Sequence, residues 1–224
     1  MRRAFVTTVV LVLVILTCAC NTNPSTPTPD TTNILFYDNF SNIDSGWNWL
    51  QNESGIIDYV DGQYRIFINK ADTLLLAPLD RSFQGDVRIE VDARRTAGPN
   101  DNYFGVLCRY QDPDNYYMFL ITSDGYTGIA MRKDGLDSLI SPGLKFLKMD
   151  GINKGTGINH IRADCVGDAL TLYANGTQVS LAYDRSFTSG AVGLAARSGK
   201  FNGGVDILFD NFGVYDATPP TVSP

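Results

Sequence analysis

The sequence predicts an all-β protein, an antiparallel sandwich of the jelly-roll kind. Three observations carry this expectation. Apolar and polar residues alternate with a period of two along most of the body. No stretch of that body sustains the three-four apolar spacing of a helix. The alternating runs are separated by turn chemistry: QDPDN, SDG, KDG, VGD and ANGT. About a dozen short strands joined by tight turns make a sandwich or jelly roll.

The chain opens with MRRAFVTTVVLVLVILTCAC. Arg2 and Arg3 give a positive start, and Ala4 to Leu16 is uncharged and mostly apolar. A membrane span needs about 20 such residues, so this run suits the core of an export signal instead. With Ala19 before Cys20, the segment resembles a bacterial lipoprotein signal, cut before a cysteine that then carries lipid. The resemblance implies a signal peptide over residues 1–19 and lipidation at Cys20. It also implies export to the bacterial cell envelope, with the chain held on a membrane through its lipid. Residues 20–33 are rich in Pro, Thr, Ser and Asn, and residues 217–224 share that composition. Such segments cannot offset their ordering entropy by burial and read as a tether and a disordered tail. The predicted domain spans residues 34–216.

Within the domain, DVRIEVDAR (86–94) sets Val87, Ile89, Val91 and Ala93 on one face and Arg88, Glu90, Asp92 and Arg94 on the other. Strands follow at 103–110, 116–122, 127–133, 160–167, 169–175, 177–183 and 191–197. Asn175-Gly176 is a strong two-residue hairpin signal. The first strand reads ILFYDNF (34–40) and the last contains ILFDNF (207–212). Side by side, two such strands would shield each other's edges. Asp-Asn-aromatic also occurs at Asp101-Asn102-Tyr103 and Asp114-Asn115-Tyr116. All four copies fit turn capping at a strand start. For the terminal pair there is a second reading: Asp38 and Asp210 on adjacent strands sharing a calcium ion, with carbonyl oxygens completing the shell. Calcium is the one cofactor the sequence offers.

Taken in order, YVDGQYRIFIN, FGVLCRYQDPDNYYMFLITSDGYTG, NHIRADCVGDALTLYANGTQV, SFTSGAVGLAA and VDILFDNFGVY resemble the concanavalin A-like lectin/glucanase superfamily. More narrowly they are similar to its 3-keto-disaccharide hydrolase-like domains. The resemblance covers nearly all of residues 34–216. It implies the fold, and it allows a lectin, a glycosidase or an adhesion module.

An enzyme needs its carboxylates. Retaining glucanases of the superfamily carry a Glu-x-Asp-x-Glu type signature, with two carboxylates about 5–5.5 Å apart. Glu90-Val91-Asp92 supplies the first half, but Ala93, Arg94 and Arg95 follow and the second Glu is missing. A keto-sugar hydrolase would draw on Glu90, Asp92 and Arg109 on the concave face, with Arg88 and Arg94 nearby. The competing reading of these residues is a salt-bridge ladder across strands. There is a single histidine, His160, so nucleophile triads fail, and zinc-ligand spacing is absent. His160 starts a strand and is expected to cap a turn or face solvent.

A sugar site needs aromatic platforms with convergent polar groups. Alternation turns Phe104, Val106, Cys108 and Tyr110 inward and Tyr103, Leu107 and Arg109 outward. A shallow groove of Tyr103, Arg109, Tyr116, Glu90 and Asp92 is therefore the sharpest ligand site, with Trp49 as a further exposed aromatic and Trp47 packed on the sandwich edge. Cys108 and Cys165 share the apolar faces of their strands. They are either a disulfide between sheets, allowed after export, or two buried thiols. The formal net charge of −6 and a pI near 4.7 exclude a basic nucleic-acid surface. The expected partner is a carbohydrate or cell-surface polymer, met by a binding or adhesion domain. The alternatives are a 3-keto-glycoside hydrolase and a structural module without a sugar.

Overall fold

Residues 33–217 are described by a computed structural model of the chain. The expected signal peptide, the lipidation at Cys20, the tether to residue 32 and the tail beyond 217 lie outside the described residues.

The alternating runs become two antiparallel sheets. Across the larger sheet the strands run β14 (Thr177–Tyr183), β13 (Ala169–Ala174), β12 (Asn159–Val166), β6 (Val87–Ala97), β16 (Val205–Asp216), β4 (Gln63–Ile68), β3 (Gly55–Val60) and β2 (Leu50–Gln51). β1 (Ile34–Asp38) also joins it. The smaller sheet runs β10 (Leu136–Leu139), β9 (Tyr126–Lys133), β8 (Asn115–Ile121), β7 (Asn102–Asp112), β15 (Gly190–Ser198) and β5 (Leu74–Phe83), with β11 (Leu147–Lys148) paired to β9. The Asn175-Gly176 signal holds: both residues take positive φ, 51° and 80°, and close the β13–β14 hairpin.

The core lies between the sheets and takes alternate residues from each. Val87, Ile89, Val91 and Ala93 of β6 meet Phe104 and Val106 of β7 and Phe119 and Ile121 of β8. Burying such side chains contributes roughly 1.5–3 kcal/mol each.

The two similar terminal strands do lie together. β1 pairs with the second half of β16, Asp38 opposite Phe212 and Ile34 opposite Tyr215. β4 pairs with the first half, Val205 to Phe209. β16 is therefore a central strand, not an edge. Phe40 and Phe212, one from each copy of the motif, join Trp47 and Tyr64 in one aromatic cluster, with Trp47 4.8 Å from Phe212 and 5.3 Å from Phe40. Trp47 is buried, as its place on the sandwich edge predicts.

The smaller sheet is apolar on both faces. Leu107, Tyr116, Met118, Leu120, Ala130 and Ala195 form a second buried cluster on its outer side. The cause is visible in β8, where YYMFLI is a continuous apolar run; such runs mark strands covered on both sides. The cover comes from the link between β10 and β11. Phe146 of that link lies over Gly128, where an added Cβ would sit 2.9 Å from its ring.

Candidate binding groove on the outer face of the smaller sheet

The second apolar cluster is incompletely covered, and a groove of about 280 Å³ remains over it. Its floor is Leu74 of β5, Met118 and Leu120 of β8 and the small Ala130 of β9. Tyr103 of β7 and Phe146 of the covering link form one wall, their ring centroids 4.8 Å apart and tilted by 49°. Polar groups gather at the rim. Arg197 of β15 donates to Asp72 at 2.6 Å and lies 3.9 Å from Asp137 of β10. Ser138, Ser198 and Lys200 complete the rim. Positive and negative groups balance there, and burial raises the Tyr103 hydroxyl above its ordinary value of 10.0. The arrangement offers an apolar platform beside fixed hydrogen-bonding groups, which is what recognition of a sugar ring demands.

The expected groove of Tyr103, Arg109, Tyr116, Glu90 and Asp92 does not form. Tyr103 alone of these five lines the observed groove. Arg109 turns inward because the strand is bulged here: its φ is 52° and the β7–β8 register breaks between Cys108 and Asp112. One extra residue reverses the alternation, so Tyr110 faces outward and Arg109 goes in. The Arg109 side chain is 2% exposed. Its guanidinium donates to the carbonyls of Gly167 (2.9 Å), Phe187 (3.0 Å) and Cys165 (3.3 Å) and to Asp86 (3.2 Å). It joins the two sheets and cannot reach a ligand. Tyr116 is on the expected face but buried, stacked on Tyr110 at 5.6 Å, and its hydroxyl is pushed up to about 12 by burial. Trp49 is exposed and stands apart from the groove.

Glu90 and Asp92 lie on β6, on the outer face of the other sheet. Their neighbour is His160 on β12, whose Nδ1 is 2.8 Å from Asp92 and whose Nε2 is 3.7 Å from Glu90. These carboxylates raise the imidazole to about 9, and it holds both of them below their ordinary range. His160 faces solvent, one of its two expected placements, and is in addition an ion-pair partner. Asn211 donates to the other oxygen of Asp92, and Tyr37 donates to Asn211. Further along, Arg88 and Arg162 both pair with Asp164. The face is a ladder of opposite charges across strands.

The proposed calcium pair is also separated. Asp38 faces the interior, where its carboxylate accepts from Phe40 N and Trp47 Nε1. Asp210 faces outward and accepts from Asn211 N and Gln63. Alternation alone would put Asp210 on the face of Phe212 and Asp38, but a bulge at Asn211, whose φ is 54°, breaks the register after Asp210 and sets the two carboxylates on opposite sides of the sheet. Among the described residues no three His, Cys, Asp or Glu side chains gather as a metal site. Cys108 of β7 and Cys165 of β12 are joined by a disulfide that ties one sheet to the other.

Sequence reasoning missed Phe146, Arg197, Asp72 and Asp137. A signal for Phe146 existed: SPGLKF (141–146) carries apolar residues with neither strand alternation nor helical spacing. Apolar residues on a non-periodic link need a surface to cover.

No known family profile and no curated protein matches the chain. Solved structures do. The carbohydrate-binding module CBM66 from Bacillus subtilis aligns at 18% identity and a TM-score of 0.61, over 76% of this chain and 96% of that one. The Emp47p carbohydrate recognition domain aligns at 12% identity and 0.61, over 84% and 99%. The β-glucanase of Bacillus licheniformis aligns at 12% identity and 0.59, over 80% and 96%. The fold is the concanavalin A-like jelly roll. Within that jelly roll, the groove occupies the outer face of the smaller sheet.

Proposed function

We propose that this jelly roll is a carbohydrate-binding module and that the groove walled by Tyr103 and Phe146 is its site. One observation carries the reading: an apolar floor and an aromatic wall lie open beside the ionic rim of Arg197, Asp72 and Asp137. The C–H face of a sugar ring would pack on the aromatic wall, and rim groups would exchange hydrogen bonds with its hydroxyls. The likeness to a carbohydrate-binding module and to a carbohydrate recognition domain supports the same reading. The test is a glycan-panel screen of the full chain. Binding that falls about tenfold or more, about 1.4 kcal/mol, in Tyr103→Ala and Phe146→Ala is expected. Binding indifferent to both substitutions would sink the assignment.

Hydrolysis of keto-sugars is the lesser reading. Glu90 and Asp92 are both held below their ordinary range, so neither stands ready as a general acid near neutrality.

The module works, in this proposal, from a lipid anchor on the cell envelope. The leader sequence supports it: a positive start, a short apolar run and Ala19-Cys20. Mass spectrometry of membrane-extracted protein should find a lipid-modified Cys20 at the N-terminus. An intact Met1 would remove the anchor.

A further inference from the structure

A second recess of about 300 Å³ adjoins the first. It shares Tyr103 and Phe146 with it and adds Asp101, Thr122, Asp124 and Tyr126. The ring pair therefore stands between two hollows and lines both of them. The first hollow is apolar with a balanced ionic rim. The second is polar and acidic. Asp101 is exposed, and among the described residues no hydrogen bond or ion pair engages its carboxylate. Asp124 is exposed and uses one oxygen to accept from the Thr122 hydroxyl.

Resting on the carbohydrate reading above, we propose that the ligand is an oligosaccharide of at least two consecutive units, one on each side of the Tyr103–Phe146 pair. The unit in the first hollow packs on Leu74, Leu120 and the rings. The unit in the second offers hydroxyls to Asp101 and Asp124, which are acceptors without a full set of donors. Two carboxylates at that end, against one lysine, Lys148, 5.7 Å over the Tyr126 ring, favour an uncharged second unit over a uronate or a sulfated one. A single ring fills one hollow and leaves the other wet. Joining two units makes the contact with Asp101 and Asp124 intramolecular, which strengthens binding of the pair beyond that of either unit alone.

The experiment is calorimetric titration of the full chain with gluco-, xylo- and manno-oligosaccharide ladders from one unit to six. In the ladder that binds, affinity should rise about tenfold or more from one unit to two. In the double variant Asp101→Ala/Asp124→Asn that rise from one unit to two should vanish. Both residues are exposed, and an unchanged melting temperature confirms that the variant folds. Equal affinity for one unit and for longer chains would overturn the two-hollow proposal and leave the carbohydrate reading standing. So would a chain-length gain that survives the double variant. Failure of every ladder member to bind would overturn both.

Discussion

Four acceptors surround the Arg109 guanidinium, three of them backbone carbonyls and the fourth the Asp86 carboxylate. Removing a buried charge from such a setting costs about 3 kcal/mol or more. Arg109→Ala should therefore lower the urea midpoint strongly while sugar affinity per folded molecule stays the same. A loss of affinity at full stability would place Arg109 in the site after all. His160 gives a pH signature. Its folded value near 9 exceeds the ordinary 6.5, so its stabilising contribution is complete below about pH 6.5 and is lost as pH rises through 9. The melting temperature should fall between those limits, and His160→Gln should flatten that part of the curve. The residue-level site was only partly legible for a physical reason. Alternation locates a side chain as long as the strand keeps its register. It placed Tyr103 and the core residues of β6 correctly. It failed at Arg109, where one left-handed residue exchanges inside for outside.

At the scale of elements, the link from β10 to β11 shapes the groove. Phe146 rests where Gly128 has no side chain. Gly128→Ala would push a methyl group to within 2.9 Å of that ring, so the ring must move. The expected outcome is weaker sugar binding, by about tenfold, with little change in melting temperature, because the core between the sheets is untouched. Isothermal titration and thermal melting on the same sample check both halves. Strand identities and hairpins were readable because turn dipeptides and period-two runs are local. Which face a third segment covers is not local. The only trace of the covering link was an apolar stretch without a period, beside a β8 run too apolar to have a wet face.

At the scale of the molecule, the Cys108–Cys165 disulfide joins the sheets across a sequence separation of 57. Closing a loop of that size restricts the unfolded chain and contributes about 4 kcal/mol. Cys108→Ala/Cys165→Ala should lower the urea midpoint accordingly, and reductant should then have no further effect. An unchanged midpoint would show that the bond carries no stability. The jelly-roll class was legible because most of the long strands alternate, although β5, β10 and the two-residue β2 and β11 gave no such signal; the sequence left disulfide and free thiols equally open, since Cα geometry is set only by the finished sandwich. The pairing of β1 with β16 reaches further. Ile34 lies opposite Tyr215, so the domain starts and stops at one place. The fold is in effect a closed circuit of strands that the ribosome happens to open there. A short linker from residue 216 to 34, with new termini cut at the exposed Asn175-Gly176 turn, should yield a circular permutant with the same groove and the same sugar affinity. By the same geometry, this sandwich could sit as a side branch in the loop of a larger host protein, interrupting its host by no more than the width of two neighbouring strands.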